Sequence, residues 1–331
     1  MIIDLHCDTI SKLRDYRLGR LGTPEGEQTV DLIQNPFHLD LNRMQQAGYR
    51  LQNFAVYIDS ETDPDIYTAY QEMYRMFRDA LERSSSLIGQ VLTYSDLSEH
   101  ERAGKISALL TVEEGQVAAS MEQLEELFRD GVRLITLTWN HRNALGCPNC
   151  IRPDGTHSLT VPNTDEGLTA YGFDVIARME ELGMMIDVSH LSDKGFYDVC
   201  DNTSKPFLAS HSNARTITPH VRNLTDDMIR KISGRGGVIG VNFETTFLGN
   251  PEDCGIAAVV RHLEHMKKTG GEDCIALGSD FDGIVGNPEL TGVQDMEKLW
   301  DALHMAGWKQ SSLDRLFYGN ALRFYRDILP V

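Results

Sequence analysis

No window of 18 uncharged apolar residues occurs in this 331-residue sequence, so a membrane-spanning helix is not expected. A basic segment followed by about 7–15 apolar residues is also missing, so no secretory signal is visible and a cytoplasmic protein is expected. Basic residues are scarce beside acidic ones, 31 against 49, for a net charge of −18. That balance argues against nucleic acid or an anionic membrane as partner, since both need a basic patch. Cysteine is sparse too, with six residues and one C-x-x-C, Cys147 and Cys150. Without a second C-x-x-C there is no zinc knuckle. The surrounding NALGCPNCIRPDG reads as a loop, not the helix start of a redox pair, so both are expected to be loop cysteines without catalytic duty. Structural disulfides are not expected in a reducing cytosol. No G-x-G-x-x-G links a first strand to a helix, which argues against a dinucleotide fold. Gly234, Gly236 and Gly240 lead into a strand instead. Internal repeats, low-complexity segments and linkers are absent, so residues 1–331 are expected to form a single hydrolase barrel domain.

What is present is an ordinary globular composition, 41 % hydrophobic and 24 % charged, arranged as alternating strands and helices. Eight near-continuous apolar runs read as buried parallel strands: IIDLH, LQNFAVYI, ISALLTV, VRLITLTW, GMMIDVSH, PFLASH, GGVIGVNF and CIALGSD. Helical periodicity lies between them. Ser120 is a cap before Met121, Leu124, Leu127 and Phe128, and Thr164-Asp165-Glu166 opens a stripe ending at Gly183. Further helices start at Thr225-Asp226-Asp227, at Ile256 and at Leu313, the last stopped by Pro330. Eight such repeats predict an α/β fold, a (β/α)8 TIM barrel. Two long stretches, Arg14 to Asp40 and Arg142 to Asn163, are expected as loops over the catalytic face.

The polar residues at the strand exits carry the chemistry. His6, Asp8, Glu113, His190, His211 and Asp280 each stand where an apolar run stops. Histidines and carboxylates repeated at several strand ends point to a metal site on a barrel rim, and so to a hydrolase using two divalent ions. Alternation places His6 and Asp8 on one side of their strand. Glu113 and Glu114 are adjacent, so only one can face the centre and bridge two cations. Of Asp280 and Asp282, one is the candidate acid/base and the other a supporting or turn residue. His38-Leu39-Asp40 repeats the His-x-Asp spacing but precedes a helical pattern, so His38 is expected in a loop or helix start and not as a ligand.

Together, DLHCDT, TVEEG, DVSH, ASHSNAR, VRNLTDD, GVNF and GSDFDG resemble the membrane (renal) dipeptidase family of binuclear zinc peptidases, amidohydrolase-like barrels, over essentially the whole chain. Most other amidohydrolases open with His-x-His, whereas this chain has His-x-Asp. The resemblance implies two Zn2+ per chain, with His6 and Asp8 on one, His190 and His211 on the other, and Glu113 bridging. It implies Asp280 as the catalytic acid/base, Arg222 as the anchor for a dipeptide carboxylate, and a metal-bridging hydroxide as nucleophile. A homodimer and tolerance of a D-residue at the C-terminal side follow from the same likeness. Two positions depart from the mammalian pattern. Trp139 replaces a histidine, leaving Trp139 and nearby His141 as candidate substrate-binding residues, and Phe247 replaces a tyrosine. The expected activity is therefore a metallo-dipeptidase. The rival is a related amidohydrolase acting on another small amide, lactam or N-acyl amino acid.

Overall fold

A computed structural model describes residues 1–21 and 30–330. Its centre is a parallel sheet built from β1 (Ile2–Asp4), β2 (Tyr49–Tyr57), β3 (Ile88–Gln90), β4 (Ile106–Glu113), β5 (Val132–Thr136), β6 (Met185–Asp187), β7 (Ile239–Val241) and β8 (Ile275–Leu277). The hydrogen-bonded order is β6-β5-β4-β2-β1-β8-β7, with β3 against the start of β4. Single-residue bridges Asp187–Leu208 and Ala209–Ile239 connect β6 to β7 through the PFLASH segment, completing a TIM-barrel-like ring. PFLASH is thus a stave of the ring without a full ladder. The short β3 was not among the eight expected strands, because it carries too few apolar residues to register as a run.

Packing follows side-chain alternation. In β4, Ala108, Leu110 and Val112 join the core beneath the helices. Leu109 instead joins Leu5, Leu51, Leu134, Met185, Leu208 and Ala276, with Phe324, Tyr325 and Ile328 of the last helix. Strand residues two apart share a face, so Glu113 inherits the side of Leu109 and Thr111 and emerges toward the ring centre.

The helix starts follow the capping residues. Ser120 accepts Gln123 N–H at 3.2 Å to begin Met121–Arg129, and Thr225 accepts Met228 N–H to begin Asp226–Gly234. Each such cap is worth about 1 kcal/mol. The helix expected from Thr164 starts later, at Ala170, capped by Thr169. Asn163 Oδ1 takes the amides of Asp165 and Glu166, and that local turn competes with helix. A helix at Thr9–Arg17 directly follows the first strand, so the stretch from Arg14 is not all loop. Part of that stretch lies outside the described residues. Arg142 to Asn163 contains no helix or strand ladder and is held by bridges such as Pro148–Leu191 and Ile151–His157.

Candidate metal centre and substrate cavity

The strand exits converge. Glu113 is buried at the end of β4, and one carboxylate oxygen, Oε2, lies 3.2 Å from His6 Nε2. The other, Oε1, lies 3.0 Å from His190 Nε2 and 3.3 Å from His211 Nε2. His6 Nε2 is also 3.3 Å from Asp8 Oδ2 and 3.8 Å from Asp280 Oδ1. Donor atoms of His6, Glu113 and His211 form one compact group, and those of His6, Asp8 and Asp280 form another. Glu114 points away. Its Oε1 caps Gln116 N–H at 2.9 Å and accepts Asn143 Nδ2–H, with its own backbone at φ 141°.

The hydrogen-bond network assigns the protons of the two later histidines. His190 Nδ1 lies 2.9 Å from Asn140 Oδ1, an acceptor, so Nδ1 carries the proton. His211 Nδ1 lies 2.7 Å from Ser210 Oγ, whose own proton goes to Asp187 Oδ2 at 2.5 Å. Both rings therefore turn an unprotonated Nε2 inward, and these face each other at 3.1 Å. Two imidazole lone pairs and a carboxylate oxygen meeting at one point repel unless a cation sits among them. Neither nitrogen of buried His6, nor Asp8 Oδ1, has a hydrogen-bond partner among the described residues. The donor set fits divalent metal.

The ionisation of the two later histidines agrees. Burial, and then the Arg222 charge, hold His190 well below the usual imidazole range. Burial and the His6 charge bring His211 down to about 4. Both are neutral at physiological pH, as a ligand must be. Burial opposes charge on His6, but Glu113 and Asp8 outweigh it and hold its pKa well above the ordinary value. Glu113 is held well below the carboxylate range despite burial, chiefly by His6. Burial raises Asp8 to about 6.

Asp280 differs. Its Oδ2 accepts Asn242 Nδ2–H at 2.9 Å, and burial pushes its pKa well above the carboxylate range, with Asp8 and Glu113 adding to the effect against His6. His190 and Asp280 both hold left-handed backbones, at φ 67° and 63°. Such positions cost about 1–3 kcal/mol each in non-glycine residues and collect at functional sites.

Above the ligands lies a cavity of about 340 Å³, bordered by Asp8, Glu113, His190 and Asp280, and walled by Tyr57, Trp139, Phe247 and Ile284. Arg222 reaches into it. Its Nη2 donates to His211 O at 3.1 Å, while its buried Nε has no partner among the described residues. The Phe247 ring lies 5.3 Å from this guanidinium, so the phenyl face replaces a hydroxyl there. Trp139 packs edge-on to Tyr57 at 4.9 Å. Among the described residues lining the cavity, Trp139 and Asn140 are present and His141 is not. His141 instead lies behind Trp139, ring centroids 5.4 Å apart, with Nε2 3.4 Å from Asp59 Oδ1. Both loop cysteines are buried free thiols whose pKa burial raises to about 11, and Cys150 lines the cavity beside Asn140.

The groups that hold these site residues lie outside the set predicted from sequence: Asn140 on His190, Ser210 and Asp187 on His211, and Asn242 on Asp280. The signal was there for Asp187 and Asn242. Both are polar residues ending apolar runs, in DVSH and GVNF. No helix among the described residues is long and apolar enough to cross a membrane.

Comparisons with known proteins agree with this geometry. A family model described as membrane dipeptidase (peptidase family M19) matches residues 1–330. An uncharacterised dipeptidase of Schizosaccharomyces pombe is 33 % identical over 318 residues, covering 91 % of this chain and 73 % of that protein. Among solved structures, the metallopeptidase dipeptidase AC is similar at TM-score 0.86 and 27 % identity, covering 100 % of this chain and 99 % of that one. A metallopeptidase from Rhodobacter sphaeroides, liganded with a phosphinate mimic of L-Ala-D-Ala, shares the fold at TM-score 0.85 and 24 % identity, covering 99 % of each chain. With a parallel barrel, converging metal donors at its strand exits and a family match along nearly its whole length, this chain belongs to the membrane dipeptidase family of metallopeptidases, peptidase family M19.

Proposed function

We propose that the chain hydrolyses the peptide bond of dipeptides with two Zn2+ bound, one by His6 and Asp8, the other by His190 and His211, and both by Glu113. The observation that carries this reading is Glu113, which offers one oxygen to His6 and the other to His190 and His211 beneath a single small cavity. When bound, the two ions would polarise the scissile carbonyl and supply an activated water.

The protein's own groups account for the rest. Arg222 presents a buried guanidinium whose Nε has no hydrogen-bond partner among the described residues, suited to the terminal carboxylate of a short peptide. Asp280, which borders the cavity with Oδ1 3.8 Å from His6 Nε2, takes the proton lost by the attacking water and delivers it to the leaving amine. Asn242 keeps the carboxyl turned toward that exchange. Tyr57 and Trp139 wall the reacting centre from water, and His141 supports Trp139 from behind rather than touching substrate. A cavity near the lower end of ligand-site volumes suits a dipeptide. The L-Ala-D-Ala mimic bound by the Rhodobacter sphaeroides protein supports acceptance of a D-residue at the C-terminal side.

Zinc-loaded enzyme assayed against L,L-dipeptides, L,D-dipeptides and N-acyl amino acids tests the substrate class. Turnover of dipeptides is expected, and turnover of N-acyl amino acids alone would replace this reading with a different amidohydrolase. Asp280→Asn should abolish turnover while two zinc ions remain bound. Undiminished activity would remove Asp280 from the role of proton carrier.

A further inference from the structure

The second His-x-Asp of the chain, His38 and Asp40, is used away from the metal ligands. Asp40 caps the helix Leu41–Ala47 by accepting Arg43 N–H at 2.9 Å. His38 grips the turn that follows β8. Its backbone N–H donates to Asp282 Oδ1 at 2.8 Å, and Asp282 N–H donates back to His38 Nδ1 at 2.9 Å. Because Nδ1 accepts, the ring is the neutral tautomer protonated at Nε2, and the 3.7 Å approach of Nδ1 to Asp282 Oδ1 is not an ion pair. The ring also packs edge-on against Phe281, centroids 5.7 Å apart. The other oxygen of Asp282 takes Thr9 Oγ1–H at 2.6 Å, at the start of the helix that follows Asp8.

The segment bearing His38 is itself fixed. His38 O accepts Val293 N–H at 3.0 Å, and Arg43 Nη2 donates to Asn35 O and Phe37 O at 3.2 and 2.7 Å. The turn it grips needs such restraint. Asp280 and Asp282 both hold left-handed backbones, at φ 63° and 71°, which side-chain-bearing residues adopt only when surrounding contacts insist. Asp280 is thus held from two sides, by Asn242 through its carboxylate and by His38 through the backbone of Asp282.

We propose that His38 is a positioning residue: by clamping Asp282 it maintains the left-handed turn that aims the Asp280 carboxyl at the reacting centre. This rests on the reading of Asp280 as proton carrier. The clamp requires an uncharged acceptor where Nδ1 sits. An asparagine oxygen can occupy that place, whereas alanine and phenylalanine offer none. A purely structural His38 would change resistance to unfolding and leave the folded enzyme's kcat alone.

The test compares zinc-loaded full-length His38→Ala, His38→Asn and His38→Phe with the parent and with Asp280→Asn, measuring kcat, KM, zinc content and thermal unfolding. His38→Ala should lower kcat on the order of 10- to 100-fold with KM for a dipeptide within about twofold and zinc content unchanged. His38→Asn should recover most of kcat, and His38→Phe, which keeps the ring volume, should not. If His38→Ala does not fold, the contrast between Asn and Phe decides. A parental kcat in His38→Ala, or equal kcat in the Asn and Phe variants, overturns the clamp while an inactive Asp280→Asn leaves the proton-carrier reading standing. An Asp280→Asn enzyme at parental kcat removes that reading and the clamp with it.

Discussion

His262 has no part in the chemistry, yet it joins the segments that carry it, and its titration should be visible in the stability of the protein. It lies fully buried in the helix Ile256–Gly270. Nδ1 accepts Ala214 N–H at 3.1 Å, just beyond His211, while Nε2 donates to Leu248 O at 3.1 Å, next to Phe247. One nitrogen accepts and the other donates, so the ring must stay neutral, and charging it breaks the bond to Ala214. Burial is the main reason its pKa falls from the ordinary 6.5 to about 4, with the Leu248 carbonyl opposing and Arg261 and His265 adding. Between those values the unfolded chain binds a proton that the folded chain refuses. Stability from this group is therefore complete above about pH 6.5 and is lost as pH falls toward 4. A gap of about 2.5 in pKa corresponds to about 3 kcal/mol in full, and to about 2 kcal/mol by pH 5. His262→Asn keeps an acceptor near the Nδ1 position but does not titrate. Urea unfolding of parent and variant at pH 7.5 and 5.0 isolates the effect, because the carboxylates and other histidines cancel in the difference. The parent's advantage at pH 7.5, about 1–2 kcal/mol for the lost donor and packing, should vanish or reverse at pH 5.0. A difference constant within about 0.5 kcal/mol, or an imidazole NMR titration of His262 above pH 6, would refute the reasoning.

Three further outcomes follow from contacts at the site. Arg222→Met should raise KM for dipeptides on the order of 100-fold with a smaller change in kcat, since it removes the buried guanidinium but preserves bulk; an unchanged KM in steady-state assays would dismiss the carboxylate anchor. Ser210→Ala frees Nδ1 of His211 and should weaken zinc binding about 10- to 100-fold, read by competition with a chromophoric chelator, whereas parental affinity would show that this support is dispensable. Gly283→Ala puts a methyl group into the carboxylates of Asp8 and Asp280, so the protein should fold, by circular dichroism, but turn over at under about one-hundredth of the parental rate. Near-parental turnover would mean that the turn can move aside.

The barrel was legible because its information is local. Apolar runs of strand length, separated by helical stripes with caps such as Ser120 and Thr225, identify parallel staves and covering helices whatever their partners. The same alternation puts Glu113 on the face of Leu109, so an acidic residue ending β4 had to emerge at the ring centre. Missed elements have equally local causes. β3 is too short to show a pattern, and Thr9–Arg17 starts directly behind the strand exit, where a loop was expected. Thr164 lost its helix start to the Asn163 turn.

The sequence by itself determined a parallel α/β barrel with histidines and carboxylates at its strand exits, because period and polarity are written into neighbouring residues. Only the tertiary structure decided which atoms meet. It turned two unprotonated imidazole nitrogens to within 3.1 Å of each other and buried Arg222, which by residue type alone belongs on the surface. It also put Trp139 in the cavity wall and His141 behind it, though they are two residues apart in the chain. His38 shows the reason most clearly. Its partner Asp282 lies 244 residues away, and no local pattern can encode a hydrogen bond between the segment before the helix Leu41–Ala47 and the turn after β8, which become neighbours only in the closed ring.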